Sequence, residues 1–186
     1  MYILIAVVVL AIITISIFNR LIRYRFLVRE AFSGIDVQLK RRHDLIPKIV
    51  DTVKGYAQYE SKLLENITSM RSQLVSASAV KDKSKIENDL SQALKSIFAL
   101  AEAYPDLKAN QSFLDLQKTV SEIEDQIQMA RRYYNGTVRD YNIMAAAFPG
   151  NLVAAVFNFK AEEFFEIEYA TERQVPGVDF SNQETK

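Results

Sequence analysis

From Tyr2 to Phe18 the chain carries no charge, and its polar side chains there are limited to Tyr2, Thr14 and Ser16. As a helix this run extends about 26 Å at ~1.5 Å per residue. That is the short end of the range that spans a bilayer, and Leu21 and Ile22 lengthen it if Arg20 snorkels to the interface. A cleaved signal peptide would place cations before the apolar run and small residues after it. Here Arg20, Arg23, Arg25 and Arg29 follow it, so residues 1–22 are expected to be a retained transmembrane anchor. The same arginines predict the N-terminus outside and the remainder of the chain in the cytoplasm.

The basic flank is part of a wider asymmetry. Lys and Arg equal Asp and Glu over the whole chain, yet residues 1–54 hold an excess of five positive charges and the remainder an equal negative excess. A basic excess beside an apolar span points to the lipid bilayer as partner; a nucleic-acid binder would carry it on a soluble face with aromatics interleaved. The absence of cysteine excludes disulfides, thiolate metal sites and cysteine nucleophiles. A single histidine, His43, leaves little material for metal or triad chemistry. No phosphate-binding glycine loop or nucleophile elbow is present. No catalytic, cofactor-binding or metal residue is therefore expected, and the chain reads as a non-enzyme without a cofactor.

Beyond the anchor the pattern is helical throughout, with five Gly and four Pro as the main interruptions. Apolar residues recur every three or four positions from Val28 through Phe32, Ile35, Leu39, Ile46, Ile49 and Val53 to Leu74. The phase survives Pro47, which predicts one kinked helix from the anchor through Leu74. Residues 76–84 read as a turn. A second helix is predicted over about 84–103 and a third from a cap at Asn110, with Phe113, Val120, Ile123, Ile127, Tyr134 and Tyr141 in heptad phase. Phe148-Pro149-Gly150-Asn151 marks a turn, and a fourth helix is expected over about 152–171. The fold class expected is all-α: an N-terminal transmembrane helix, then an antiparallel four-helix bundle over residues 23–174, then a polar tail over 175–186. Whether the second and third helices stack end to end, or the first projects as a stalk, stays open.

Several blocks carry a family resemblance. They are Glu30 through Pro47 (EAFSGIDVQLKRRHDLIP), Ala103 through Asn110 (AYPDLKAN), Ala130 through Asn135 (ARRYYN), Val138 through Asn142 (VRDYN), Phe148 through Leu152 (FPGNL) and Val178-Asp179-Phe180. In this order the chain resembles the LemA family. The resemblance implies a single-pass protein of the bacterial plasma (inner) membrane with a helical bundle and no established enzymatic activity. It also implies accessory or scaffold roles, with a membrane metalloprotease of HtpX type or a TPM-domain protein as partners. The similarity extends to the magnetosome protein MamQ, which hints at membrane shaping.

Two residues break the apolar stripe of the first predicted helix: Arg42 and Glu60. They are expected either to form a buried polar pair that sets register or binds a partner's charge, or to snorkel at the stripe's edge or bond another helix for structural reasons. Asp36, Lys40, Arg41 and Asp44 are candidates for an interaction surface within Gly34–Asp44, against the alternative of a solvated face with helix-spaced pairs such as Asp36–Lys40. The competing expectation for this segment is that the fourth helix covers it, with Glu162, Glu163 and Glu166 facing its cations. Arg131, Arg132 and Arg139 are expected to pair with Asp36, Asp44 or Glu60. Glu162, Glu163, Glu166 and Glu168 lack the histidines of a helical di-iron site and read as a solvated acidic face. The function expected is that of a membrane-anchored scaffold with homo-oligomerisation. The alternative is membrane remodelling through self-assembly.

Overall fold

Helix α1, Tyr2–Lys54, runs without interruption from the N-terminus through Pro47. The proline removes one backbone donor and crowds the carbonyl of His43. Packing offsets this, because Ile46, Ile49, Val50 and Val53 around it are all buried, at ~1.5–3 kcal/mol per large apolar side chain. The computed structural model that shows this describes residues 1–56, 60–77 and 79–165. The first sixteen residues touch no other part of the described chain closely enough to be covered. α1, which they begin, is the one helix among the described residues long and apolar enough to cross a membrane.

α1 does not continue to Leu74 as the stripe predicts. It ends at Lys54, Gly55 and Tyr56 form a turn, and α2 spans Ser61–Ser76. The periodicity was blind to this, because three–four spacing persists from Val53 to Leu63 across the break. A straight helix would leave Leu64, Ile67 and Leu74 in water. Folding α2 back buries all three, and Gly55 lowers the cost of ending the helix there.

α3, Val80–Leu100, runs into a 3-10 turn at Ala101–Ala103 and a four-residue helix α4, Pro105–Lys108, with Pro105 in the first turn. α5, Gln111–Ala146, starts at the expected cap: Asn110 Oδ1 accepts from the Phe113 amide at 3.0 Å. The end-to-end stack is not formed. α3 lies beside α5, with Phe98 and Phe113 rings 5.9 Å apart. α5 is antiparallel to α1: Asn110 donates to the Tyr56 hydroxyl at 2.9 Å near one end, and Phe32 meets Tyr134 at 5.6 Å further down.

The all-helical class holds, with no strand among the described residues. The cover over α1 and α5, however, differs along their length. In the sector distal from the apolar N-terminal span, α2 and α3 close over them, around Ile49, Val53, Ile67, Leu94 and Phe113. In the sector beside that span, Leu21, Val28, Ile35, Ile127, Val138 and Tyr141 form a second core, which α3 reaches at its start through Val80. Over the described part of the helix expected at 152–171, a short α6, Gly150–Val156, is followed by a turn at 157–158 and a non-helical strap over 159–165. Gly150 is required at the start of α6, since a Cβ would lie 2.1 Å from the Met144 carbonyl oxygen. The Phe148–Pro149 peptide is cis, and Asn158, at φ 56°, turns the chain from α6 into the strap. The tail over 175–186, Glu166, Glu168 and Val178-Asp179-Phe180 lie outside the described residues.

Candidate functional site

Helical phase divides the Gly34–Asp44 segment of α1 into two faces. Ile35, Leu39 and Arg42 point inward and are buried, while Val37, Lys40, Arg41 and Asp44 are exposed. The outer face is bare: Arg41 donates to Gln38 at 3.1 Å on its own helix. Asp36 pairs across to Lys83 of α3 at 3.5 Å, not along the helix to Lys40. No described residue of the expected covering helix lies over this segment. Glu162 reaches Arg25 at 4.0 Å, near the apolar N-terminal span, because the strap follows the lower half of α5. Exposed Arg20, Arg23 and Arg29 complete a basic ring around the base of the molecule, with the Arg29 guanidinium 5.8 Å from the centre of the Phe26 ring.

Beneath the bare face lies a cluster of buried charge. Arg42 is fully buried, and its guanidinium bonds the carboxylates of Glu87 and Glu124, the Ser91 hydroxyl at 2.6 Å and the Glu87 carbonyl at 3.3 Å. His43 Nε2 lies 2.9 Å from the second oxygen of Glu87. Burial works against ionisation of Glu87, but the His43 hydrogen bond and the Arg42 charge outweigh it and hold the carboxyl below the usual carboxylate range. Glu60 takes no part: it is half-buried at the entry to α2. Arg131 bonds Asn88 at 3.1 Å and stacks 4.8 Å over Phe165, and Arg139 pairs with adjacent Asp140. Arg139 thus pairs on its own helix and not across the bundle. Among the described residues no His, Asp and Glu group has the arrangement to hold a metal ion.

Glu87 and Glu124 went unnoticed in the sequence although the signal that picked out Arg42 applies to Glu87. It stands three residues before Leu90 and seven before Leu94, in the stripe of α3. The strap contacts were missed as well. Asn142 Nδ2 donates to the Glu162 carbonyl and its Oδ1 accepts from the Glu162 amide, both at 2.9 Å. Asn135 repeats this with Phe165 at 3.0 and 2.9 Å. Tyr134 and Tyr141 hydroxyls donate to the carbonyls of Glu163 and Lys160, each at 2.8 Å. The visible signal is a Tyr-Asn dipeptide repeated after seven residues, two helical turns on one face. Burial, with the nearby Glu162 and Glu163 charges, pushes the Tyr134 phenol up to about 12.

The LemA family model matches residues 31–180. Protein LemA of Metamycoplasma hominis is 29% identical over 175 residues, which covers 90% of this chain and 75% of that protein. Magnetosome protein MamQ 2 of Paramagnetospirillum magneticum is 23% identical over 160 residues, 72% of this chain and 59% of its own length. Magnetosome protein MamQ of Magnetospirillum gryphiswaldense is 21% identical over 159 residues, 72% of this chain and 58% of its own length. The chain thus spans less than two thirds of the magnetosome relatives.

Proposed function

The chain belongs to the LemA family, and from that premise we propose that it is a membrane-tethered, non-enzymatic scaffold that presents the outer face of Gly34–Asp44 to other proteins. The observation that carries this reading is the contrast between the two faces of one segment. The inward charges of Arg42 and Glu87 are buried and consumed by one another, while Val37, Lys40, Arg41 and Asp44 are covered by no described element. An apolar residue ringed by charges of both signs is suited to a protein surface. The partner is a second copy of the chain or a membrane protein such as an HtpX-type metalloprotease or a TPM-domain protein. In this reading α1, α2, α3 and α5 act as one antiparallel bundle, and Arg42 fixes its register. The body lies on the cytoplasmic side of the bacterial inner membrane, because the basic ring follows the anchor.

In-cell photocrosslinking from position 37 should capture a stoichiometric partner, and Lys40→Glu with Arg41→Glu should abolish it without loss of helicity. Capture that persists in the double variant overturns the assignment of the surface. Orientation is tested separately, using the absence of native cysteine: Asp44→Cys should resist an impermeant thiol reagent in intact cells. The second reading, membrane remodelling by self-assembly, is favoured by the exposed apolar side chains near the anchor. It would show as tubulation of liposomes.

A further inference from the structure

The largest apolar exposure outside the anchor is gathered at the turn into α6. Phe148 is 79% exposed, Leu152 58% and Val156 78%. Their spacing of four places Leu152 and Val156 on one face of α6, while Val153 and Ala154 on the opposite face are buried against the body. The sequence around them is the second long uncharged run of the chain, Tyr141 to Phe159, bracketed by Asp140 and Lys160. Patches of this kind on an otherwise charged protein mark a contact surface.

The position of the patch selects its occupant. Phe157 and Phe159 pack on Phe18, with ring centres 4.7 and 5.7 Å apart, and Phe18 is the last residue of the apolar span. A groove of about 470 Å³, lined by Ile17, Arg20, Tyr24, Ile143 and Phe148 among others, joins the patch to the anchor at the same level. Wherever α1 leaves a bilayer, α6 is at its surface. We propose that α6 and its flanking turn are a second membrane contact, an interfacial wedge in the leaflet from which α1 emerges. Phe148, Leu152 and Val156 enter the boundary between headgroups and acyl chains, and exposed Arg20, Arg23 and Lys160 meet anionic headgroups. Interfacial helices of this kind lie ~5–10 Å deep. Two fixed contacts, anchor and wedge, set the tilt of the body and displace lipid in one leaflet only. The inference rests on residues 1–22 being a membrane anchor, and it is independent of the scaffold surface at Gly34–Asp44.

The absence of native tryptophan makes the test direct. The full chain carrying Leu152→Trp is reconstituted in phosphatidylethanolamine–phosphatidylglycerol vesicles doped with lipid brominated at a shallow or a deep acyl position. The expected result is blue-shifted emission that loses most of its intensity to shallow bromine and little to deep bromine. Val8→Trp, in the span, should show the reverse order, and Val37→Trp, on the distal outer face, should respond to neither. Val156→Trp, with helicity checked by circular dichroism, repeats the measurement should Leu152→Trp disturb the fold. A water-like, unquenched Leu152→Trp beside a quenched Val8→Trp overturns the wedge and leaves the anchor standing. Blue-shifted but unquenched emission also overturns it, since a protein surface then covers the patch. If Val8→Trp is unquenched as well, the anchor reading fails and the wedge with it.

Discussion

The sector distal from the apolar N-terminal span and the sector beside it share two helices, α1 and α5, and differ in what lies over them. Distally the cover is α2 and α3. Helices satisfy most of their own backbone groups, so contact at that interface is chiefly between side chains, and the buried polar ones bond one another: Arg42 with Glu87, Glu124 and Ser91. Beside the apolar span the cover is a non-helical strap whose amides and carbonyls have no ladder to join. α5 supplies the partners from its side chains. Each of Asn135 and Asn142 offers one donor and one acceptor and so stands in for a peptide unit of a neighbouring strand. One helix thus serves two kinds of cover, with an ionic cluster under one and an amide clamp under the other. Losses in the distal sector should therefore be global, and losses beside the apolar span local.

The largest test of that contrast is Arg42→Ala. It leaves the Glu87 carboxylate, 1% exposed, without its cation, and should cost about 3–5 kcal/mol of global stability by chemical denaturation. Arg42→Met combined with Glu87→Leu should recover much of the loss. The same cluster predicts acid sensitivity. The folded carboxyl of Glu87 titrates below its unfolded value, so its contribution is present above the ordinary carboxylate range and lost as pH falls through the depressed one. Glu87→Gln should flatten that acid limb, and an unchanged limb would assign the acid loss elsewhere.

Next in size is the clamp. Asn142→Ala removes both bonds to Glu162 and should cost ~1–3 kcal/mol. The expected readout is fast hydrogen exchange and protease cleavage over residues 157–165, with distal exchange unaltered. A uniform rise along the whole chain would show the two sectors to be one cooperative unit.

A smaller and pH-dependent effect belongs to Tyr134. Its folded pKa is raised from the ordinary 10.0 to about 12, so its contribution is full below pH 10 and lost as pH rises through about 12. Exchange in the strap should therefore accelerate over that window. Tyr134→Phe should cost about 1 kcal/mol and weaken the pH dependence, leaving the part that belongs to Tyr141, whose phenol is also raised by burial. The smallest effect is that of Lys40→Glu with Arg41→Glu. Both side chains are exposed, so stability should change by less than about 0.5 kcal/mol. A larger loss would mean that this face is covered within the molecule.

Features that depend only on neighbours along the chain are legible without the fold. The apolar span and its arginines, the helical phase through Pro47, the Asn110 cap and the misfit of Arg42 in an apolar stripe are all local patterns of period, cap and charge. The structure carries each of the helical ones. Tertiary structure alone decided where α1 stops, what Arg42 pairs with and how the chain runs after Val156. Gly55 permits a turn without demanding one, and only the burial of Leu64, Ile67 and Leu74 on the other helices makes the reversal favourable. Glu87 and Glu124 stand 45 and 82 residues from Arg42 along the chain, beyond the reach of any periodicity. Residues 159–165 contain nothing that forbids a helix. They are non-helical because Tyr134, Asn135, Tyr141 and Asn142, 19 to 30 residues earlier, satisfy their backbone groups from α5.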